Sequence, residues 1–210
     1  NGRALVEDST LQFAAIGALG PGSRIQVVRS VVNSQIVQTV ADGVVEIRES
    51  RVYGTRMQAL GLSRIRLLDT ELLANRCHPG CLPKCVAFDG GDACNGFNPA
   101  LDVSFDPHES AAILVARLAP MAAVAKGAEA VVLGDAGVYS ADATLAATRF
   151  RVSQRAVGAP LASAVLVAEG DGPIVGAALA TLKTEALAPG EYTVRLELLL
   201  PESEEPAAVE

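Results

Sequence analysis

Four closely spaced cysteines are the side chains of this chain with the most distinctive chemistry. They are Cys77, Cys81, Cys85 and Cys94, set among Pro and Gly residues. An even number of thiols in a loop without a core of its own predicts two disulfides in a secreted protein. Three pairings are open, and we favour Cys81 with Cys85 inside Cys77 with Cys94. Zinc binding, with or without His78, is the alternative, although the spacing fits a zinc ribbon poorly; free thiols are the third.

A second group of candidate ligands follows directly in a glycine-rich segment. Asp89, Asp92, Asn95 and Asn98 recur at every third position. Their side-chain oxygens are ligands that calcium accepts, although the spacing is not that of an EF-hand. Because Asp, Asn and Gly also form turns, the pattern favours ordinary turns first and a calcium site second.

No other group of residues forms a recognised catalytic pattern. The chain has two histidines, His78 and His108. It lacks a Gly-x-Ser-x-Gly nucleophile turn, a phosphate-binding loop and a dinucleotide-binding fingerprint. The sequence therefore predicts no catalytic residue and no cofactor, with calcium at the Asp/Asn segment as the alternative.

Composition excludes several classes of function. The chain has 210 residues, of which 50% are hydrophobic, and a formal net charge of −7. A negative chain without a basic, aromatic-containing patch is not expected to bind nucleic acid. Charges or turn residues interrupt every apolar run, so no membrane span is predicted. Aromatic residues make up 4% and Trp is absent, which argues against a sugar-stacking cleft. The start at Asn1 is expected of a processed chain or of an internal fragment.

Between residues 25 and 77 an apolar residue recurs at nearly every fifth position. This repeat, called the five-residue beat below, predicts the architecture that must hold these segments. Every fifth residue is apolar except Asp42, in the series Val27, Val32, Val37, Asp42, Ile47, Val52, Met57, Leu62, Leu67, Leu72 and Cys77. Four beats make a twenty-residue repeat, visible in Ser30, Ser50 and Thr70. Stacked coils of about twenty residues are typical of a parallel β-helix. The beat places Val52 and Leu67 in the core, with Arg51 and Arg66 facing solvent.

This beat resembles the pentapeptide-repeat and right-handed β-helix classes of solenoid. The nearest match to a pentapeptide motif is Leu72-Leu73-Ala74-Asn75. The resemblance implies a stack of coils in which like residues lie above like. The alternative is a meander of antiparallel strands with coincidental spacing.

After residue 100 the beat gives way to period-two alternation, which is typical of strands. Turn residues separate the strand candidates, which are Leu101–Phe105, Ala112–Leu118, Ala130–Leu133, Thr148–Val152, Pro160–Ala168, Ile174–Lys183 and Tyr192–Leu198. Such spacing predicts an antiparallel sandwich or jelly roll. Two alanine-rich pieces, residues 122–130 and 176–182, could instead form short helices.

The predicted fold class is all-β, a short β-helix or β-arch stack joined to an antiparallel sandwich or jelly roll. Five segments are expected: an N-terminal strand or arm at 1–24, the stack at 25–76, a cysteine-rich loop at 77–99, the sandwich at 100–200 and a solvated, mobile acidic tail at 201–210.

These features favour a non-enzymatic structural protein, extracellular or at the cell surface, that assembles with copies of itself into a filament or surface layer. The N-terminal segment, with Thr10, Leu11, Phe13 and Ile16, is predicted as the assembly element. It is an ordinary strand or an arm donated to a neighbour. The first alternative is an adhesin or fibre-type binding module that uses the cysteine loop. The second is a polysaccharide-acting β-helix enzyme with acidic residues on an outer face.

Overall fold

The computed structural model describes residues 2–12, 15–33, 36–53, 56–73, 112–140, 149–200 and 207–210. Within these ranges the regular elements are eighteen β-strands and one 3₁₀ turn at Leu161–Ser163. The predicted all-β class is therefore confirmed. The four cysteines, both histidines, the four candidate calcium ligands and the predicted strand Leu101–Phe105 lie outside the described residues.

The first eleven strands form a stack of coils, in which each of the first three coils contributes one strand to each of three sheets and the described part of the fourth coil contributes to two. The first coil contains β1 (Arg3–Glu7), β2 (Thr10–Gln12) and β3 (Ala15–Ala18), and the second contains β4 (Arg24–Val28), β5 (Val31–Asn33) and β6 (Ile36–Thr39). The third coil contains β7 (Val44–Arg48), β8 (Arg51–Tyr53) and β9 (Arg56–Ala59). The fourth coil contains β10 (Arg64–Leu68) and β11 (Glu71–Leu73). Equivalent strands pair in parallel, giving the orders β1-β4-β7-β10, β2-β5-β8-β11 and β3-β6-β9. The antiparallel-meander alternative is wrong for this half, while the pentapeptide-repeat resemblance stays a prediction.

The register explains the five-residue beat and its exception. Arg24 pairs with Val44, and Val44 pairs with Arg64, so one coil takes twenty residues. Three of every four beats are inward strand positions, and the fourth falls in a turn. Asp42 and Leu62 occupy that turn, where both are exposed. The beat alone would have buried Leu62, whose side chain lies at the surface instead.

The inward positions form the core of the stack. Val52 and Leu67 are 0% and 1% exposed, as the beat predicts. Arg51 is exposed, and Arg66 is half-buried rather than fully solvated. Aliphatic side chains therefore lie above one another along the axis, and this burial supplies the main driving force for the fold.

A hydroxyl ladder lines the corner between the first and second sheets. The backbone N–H of Ser30 donates to Ser50 Oγ at 3.0 Å, and the N–H of Ser9 donates to Ser30 Oγ at 3.1 Å. Each hydroxyl also donates to a carbonyl two residues earlier, as Ser50 Oγ does to Arg48 O. The predicted Ser/Thr ladder is thus confirmed, and it pairs backbone groups that the corner would otherwise bury unpaired.

The stack and the sandwich share one sheet. The remaining strands are β12 (Ala112–Leu118), β13 (Glu129–Ser140), β14 (Arg149–Ala156), β15 (Val165–Asp171), β16 (Ile174–Lys183), β17 (Tyr192–Leu199) and β18 (Ala207–Val209). β12 pairs in parallel with β10, and β13 and β16 continue that sheet in antiparallel fashion. The opposing sheet has the order β15-β14-β17-β18. Leu114, Phe150 and Leu196 pack between the two sheets.

Three sequence expectations need correction. The alanine-rich residues 176–182 lie in β16, and the described residues 119–128 contain no helix. The end of the acidic tail is not a mobile segment, because β18 pairs with β17 and buries Ala207 and Val209. The stack begins before residue 25, because Arg3 pairs with Arg24 across twenty-one residues. The one extra residue lies between Ala18 and Arg24 and interrupts the beat.

Candidate functional site at the open end of the stack

The predicted assembly residues belong to the first coil. Thr10 and Leu11 lie in β2 and pair with Val31 and Val32, while Ile16 lies in β3 and pairs with Val37. Phe13 lies outside the described residues. The segment is thus an integral coil paired within its own chain, and it is not laid out as a free arm.

The first coil presents three strand edges without a partner strand among the described residues. β1, β2 and β3 each stand at the end of their sheet. On β1, Gly2 O accepts from Arg24 N at 2.9 Å, and Asp8 N donates to Val28 O at 3.2 Å. Because backbone groups alternate in direction along a strand, the N–H and C=O groups of Arg3, Leu5 and Glu7 point to the open edge.

The side chains of these same three residues share the outer face of β1. Successive side chains of a strand point to opposite faces, so Arg3, Leu5 and Glu7 lie together and Ala4 and Val6 point inward. Leu5 is 58% exposed, and both charged residues are exposed. The outer face thus carries a leucine flanked by opposite charges.

The apolar core reaches this end of the stack. Val6 and Leu11 are only partly buried although they pack against the core, whereas Val27 and Val32, their counterparts in the second coil, are fully buried. The greater exposure of Val6 and Leu11 corresponds to the apolar surface that a further coil would bury. Within the described part of the chain, this end of the stack therefore combines backbone groups that have no partner strand with incompletely covered apolar side chains.

The acidic residues on the outer faces of the stack are mostly paired with arginines. Arg51 Nε lies 3.1 Å from Glu71 Oε2, and Arg48 Nε lies 3.4 Å from Glu46 Oε1. Such pairs are typical of a solvated face.

Asp69 is a partly buried carboxylate of the same stack. Burial raises the pKa of Asp69, and the neighbouring Glu49 raises it further, while Arg117 and Arg48 act in the opposite direction. Asp69 also lines an open cleft of about 1040 Å³ on the sandwich. The described residues on this cleft include no histidine or cysteine, and the walls are mainly alanine, leucine, valine and proline.

The cleft lies between two irregular segments, residues 119–128 and 184–191. Met121 and Val124 are each 40% exposed at its rim. Tyr192 closes one side, with its hydroxyl donating to Ala188 O at 3.0 Å. These surfaces could accept an apolar group.

The described part of the chain contains no helix long and apolar enough to cross a membrane. In the same residues, no three His, Cys, Asp or Glu side chains are grouped so that they could hold a metal ion. Comparisons with known proteins found no family model, no curated protein and no solved structure that matches this chain.

Proposed function

We propose that this protein is a structural subunit that associates with copies of itself through the open end of its stack. The observation that supports this most directly is the set of three strand edges on the first coil. An exposed edge is a template for pairing with another chain, and natural proteins usually cover or protect it. Three such edges around one core form an extended docking surface.

The energetics of stacked coils support the same proposal. In a solenoid each repeat is stabilised by its neighbours, and terminal repeats need a cap. Among the described residues, the first coil contacts a neighbouring coil on one side, and Leu5, Val6 and Leu11 retain exposed apolar surface. Docking of another subunit would cover this surface and pair the edge.

The extracellular or cell-surface location is part of the proposal. It rests on Cys77, Cys81, Cys85 and Cys94, whose number and spacing are typical of secreted proteins with disulfides. The ion-paired outer faces of the stack suit a solvated assembly better than a catalytic groove.

Sedimentation velocity over a hundredfold range of concentration tests self-association of the full chain. Electron microscopy of the same samples shows whether the product is a closed oligomer or a polymer. We expect mass to rise with concentration; a chain that stays monomeric at the highest concentration refutes the proposal.

A proline substitution connects association to the edge. Leu5→Pro removes an N–H that points to the open edge, so it should weaken association without breaking an intrachain hydrogen bond. Ala4→Pro is the matched control, since the Ala4 N–H points to β4 and its loss should lower thermal stability instead. Unchanged association of Leu5→Pro would contradict a role for this edge.

A binding module is the second candidate, and the cleft beside Met121 and Val124 favours it. In that case the full chain should remain monomeric and bind a hydrophobic fluorescent dye. Met121→Glu combined with Val124→Glu should reduce the binding, whereas Val131→Glu, at an exposed position on β13, should not. Equal binding by all variants would exclude the cleft as the site.

A further inference from the structure

We propose that the cleft on the sandwich binds an amphiphile with a protonated amine on an aliphatic body, and that Asp69 is the partner of its ammonium group. The inference rests on the cleft of the second candidate function and specifies its ligand class. Since the cleft is lined mainly by residues 118–130 and 182–194, it does not depend on the proposed self-association of the stack.

The walls of the cleft favour an aliphatic ligand. Leu118, Met121, Val124 and Leu187 are among the lining residues. Tyr192 is the one aromatic side chain among the described residues of the lining, so the walls offer little stacking surface to a flat ring. The volume of about 1040 Å³ lies near the upper limit for small-molecule sites, roughly 300–1,000 Å³. An aliphatic body would therefore fit and would bury apolar wall surface.

Hydrogen bonds join the two irregular segments that form the walls. The Thr184 hydroxyl donates to Ala125 O at 3.0 Å and to Ala128 O at 2.8 Å. The Thr184 backbone N–H also donates to Ala128 O, at 3.3 Å. Because these bonds fix one wall to the other, less conformational entropy is lost when a ligand enters.

The Asp69 carboxylate selects the headgroup. It lines the cleft and is partly buried, and none of the described donors forms a hydrogen bond or an ion pair with it. Arg117 and Arg48 attract it at longer range, while Glu49 adds a second negative charge nearby. A partly buried carboxylate without a partner is unfavourable, and a charged donor compensates it best. An ammonium group provides this donor, whereas a ligand carboxylate would be repelled.

The other charged groups of the described lining do not select a headgroup. Glu210 already pairs with two arginines. Lys126 and Glu191 are exposed and opposite in sign, so their effects on a ligand charge offset each other. The choice between a cation and an anion therefore falls to Asp69.

A second acceptor borders the cleft. Gln154 is one of the lining residues, and its Oε1 is buried without a hydrogen-bond partner among the described residues. Buried carbonyl oxygens are nearly always paired. Because the terminal amide of Gln turns over a broad range of angles, this oxygen can reach a donor in the cleft. Asp69 and Gln154 thus both call for a ligand that donates hydrogen bonds.

Three probes with one chain and different headgroups test the assignment. Isothermal titration calorimetry of the full chain measures the affinities of octylammonium, 1-octanol and octanoate below their micelle-forming concentrations. We expect one octylammonium per chain, bound at least about tenfold more tightly than octanoate, with 1-octanol between them. Lack of saturable octylammonium binding, or equally tight binding of octanoate, would overturn the proposal.

Substitutions then locate the headgroup. Asp69→Asn should weaken octylammonium binding by about fivefold or more and leave 1-octanol binding nearly unchanged. Asp171→Asn is the matched control, because it removes one exposed negative charge from a residue outside the lining. Gln154→Leu should weaken the binding of both donors. If the two aspartate variants bind octylammonium equally well, the amine is held by the overall negative charge of the chain and the proposal falls.

Further outcomes separate this inference from the functions proposed above. Thermal unfolding verifies that each variant folds as the unmodified chain does. If a hydrophobic dye binds in the cleft but octylammonium does not displace it, the headgroup assignment is overturned and the binding-module candidate stands. If neither the dye nor octylammonium binds, both fall and self-association is unaffected.

Discussion

Arg29 donates two hydrogen bonds to Asp8, the residue at the same corner of the preceding coil. The Nε–Oδ1 distance is 2.9 Å and the Nη2–Oδ2 distance is 3.0 Å. Both residues have positive φ, a conformation that costs energy for side chains other than glycine. The hydrogen bonds from Arg29 lower the pKa of Asp8. The pair links the end of β1 to the second coil at the protein surface, beside the proposed docking edge.

Truncation of a core residue should cost far more stability than truncation of an outer charge in the same stack. Leu67→Ala removes a fully buried side chain and should lower the free energy of unfolding by about 2–5 kcal/mol. Arg51→Ala removes an exposed partner of Glu71 and should cost less than about 1 kcal/mol. Chemical denaturation of both variants measures the difference, and a reversed ranking would contradict the inward register.

Gly134 should not tolerate a methyl group. A Cβ at this position would overlap the carbonyl oxygen of Arg117, a backbone atom of the neighbouring strand. Gly134→Ala should therefore destabilise the sandwich by about 1–3 kcal/mol, or more. Gly190→Ala is the control, because a Cβ there meets nothing within 4 Å. Equal melting temperatures for the two variants would show that β12 and β13 are not paired in this way.

Replacing Asp69 should stabilise the protein near neutral pH. Burial, and then Glu49, raise the pKa of Asp69 in the folded chain, so the ionised form opposes folding. Its contribution to stability decreases as pH rises from the unfolded pKa through the folded pKa. Asp69→Asn should melt higher than the unmodified chain at pH 7, with the difference vanishing at a pH below both values.

The exposed Asp171→Asn is a control for the loss of one negative charge. Asn also tolerates the positive φ of residue 69, so the substitution leaves the corner conformation accessible. A melting-temperature difference that is the same at every pH would contradict the assigned cause.

The ion pairs of Glu210, the residue that follows β18, should stabilise the protein at neutral pH but not in acid. Burial raises the pKa of Glu210, but hydrogen bonds from Arg195 and Arg155 outweigh this effect and lower it overall. A carboxyl with a lowered folded pKa stabilises the protein above its unfolded pKa, and this contribution is lost as pH falls through the folded pKa. Glu210→Gln should lower the melting temperature at pH 7 and have less effect in acid, whereas the exposed Glu129→Gln should change little at either pH.

The four cysteines are predicted to be oxidised in protein isolated from its native source. Alkylation before reduction, followed by mass spectrometry, should find no labelled thiol. Labelling of all four would contradict the disulfide prediction and weaken the proposed extracellular location. Replacing both members of one pair should lower stability by about 2–4 kcal/mol if the loop closes as in typical disulfides.

Local periodicity was sufficient to predict much of this fold. Val52 and Leu67 are buried because their spacing repeats with the coil, and the bounds of β12 and β16 match the predicted segments Ala112–Leu118 and Ile174–Lys183. The end of the predicted tail, residues 207–209, was misread because four Glu residues dominate the composition of the last ten residues, although Ala207 and Val209 alternate as strand residues do.

The first coil and its edge were harder to predict. Val6, Leu11 and Ile16 keep the five-residue spacing, but the extra residue before Arg24 puts them out of phase with Val27. A search that allowed one insertion would have found this coil. The docking edge itself follows from the order of strands in three sheets, which no local pattern encodes.

The stack can also be regarded as a spacer whose length changes in whole steps. Because Arg24, Val44 and Arg64 occupy equivalent positions, excision of residues 24–43 would join Ser23 to Val44 without a change of phase. The molecule would be shorter by one strand spacing, about 4.8 Å. Between β10 and β12 the chain advances from Arg64 to Ala112 and still takes only the next place in the sheet. The length of the stack along its axis is therefore set by the number of coils rather than by the number of residues. Duplication of a single coil would accordingly lengthen the stack by one strand spacing.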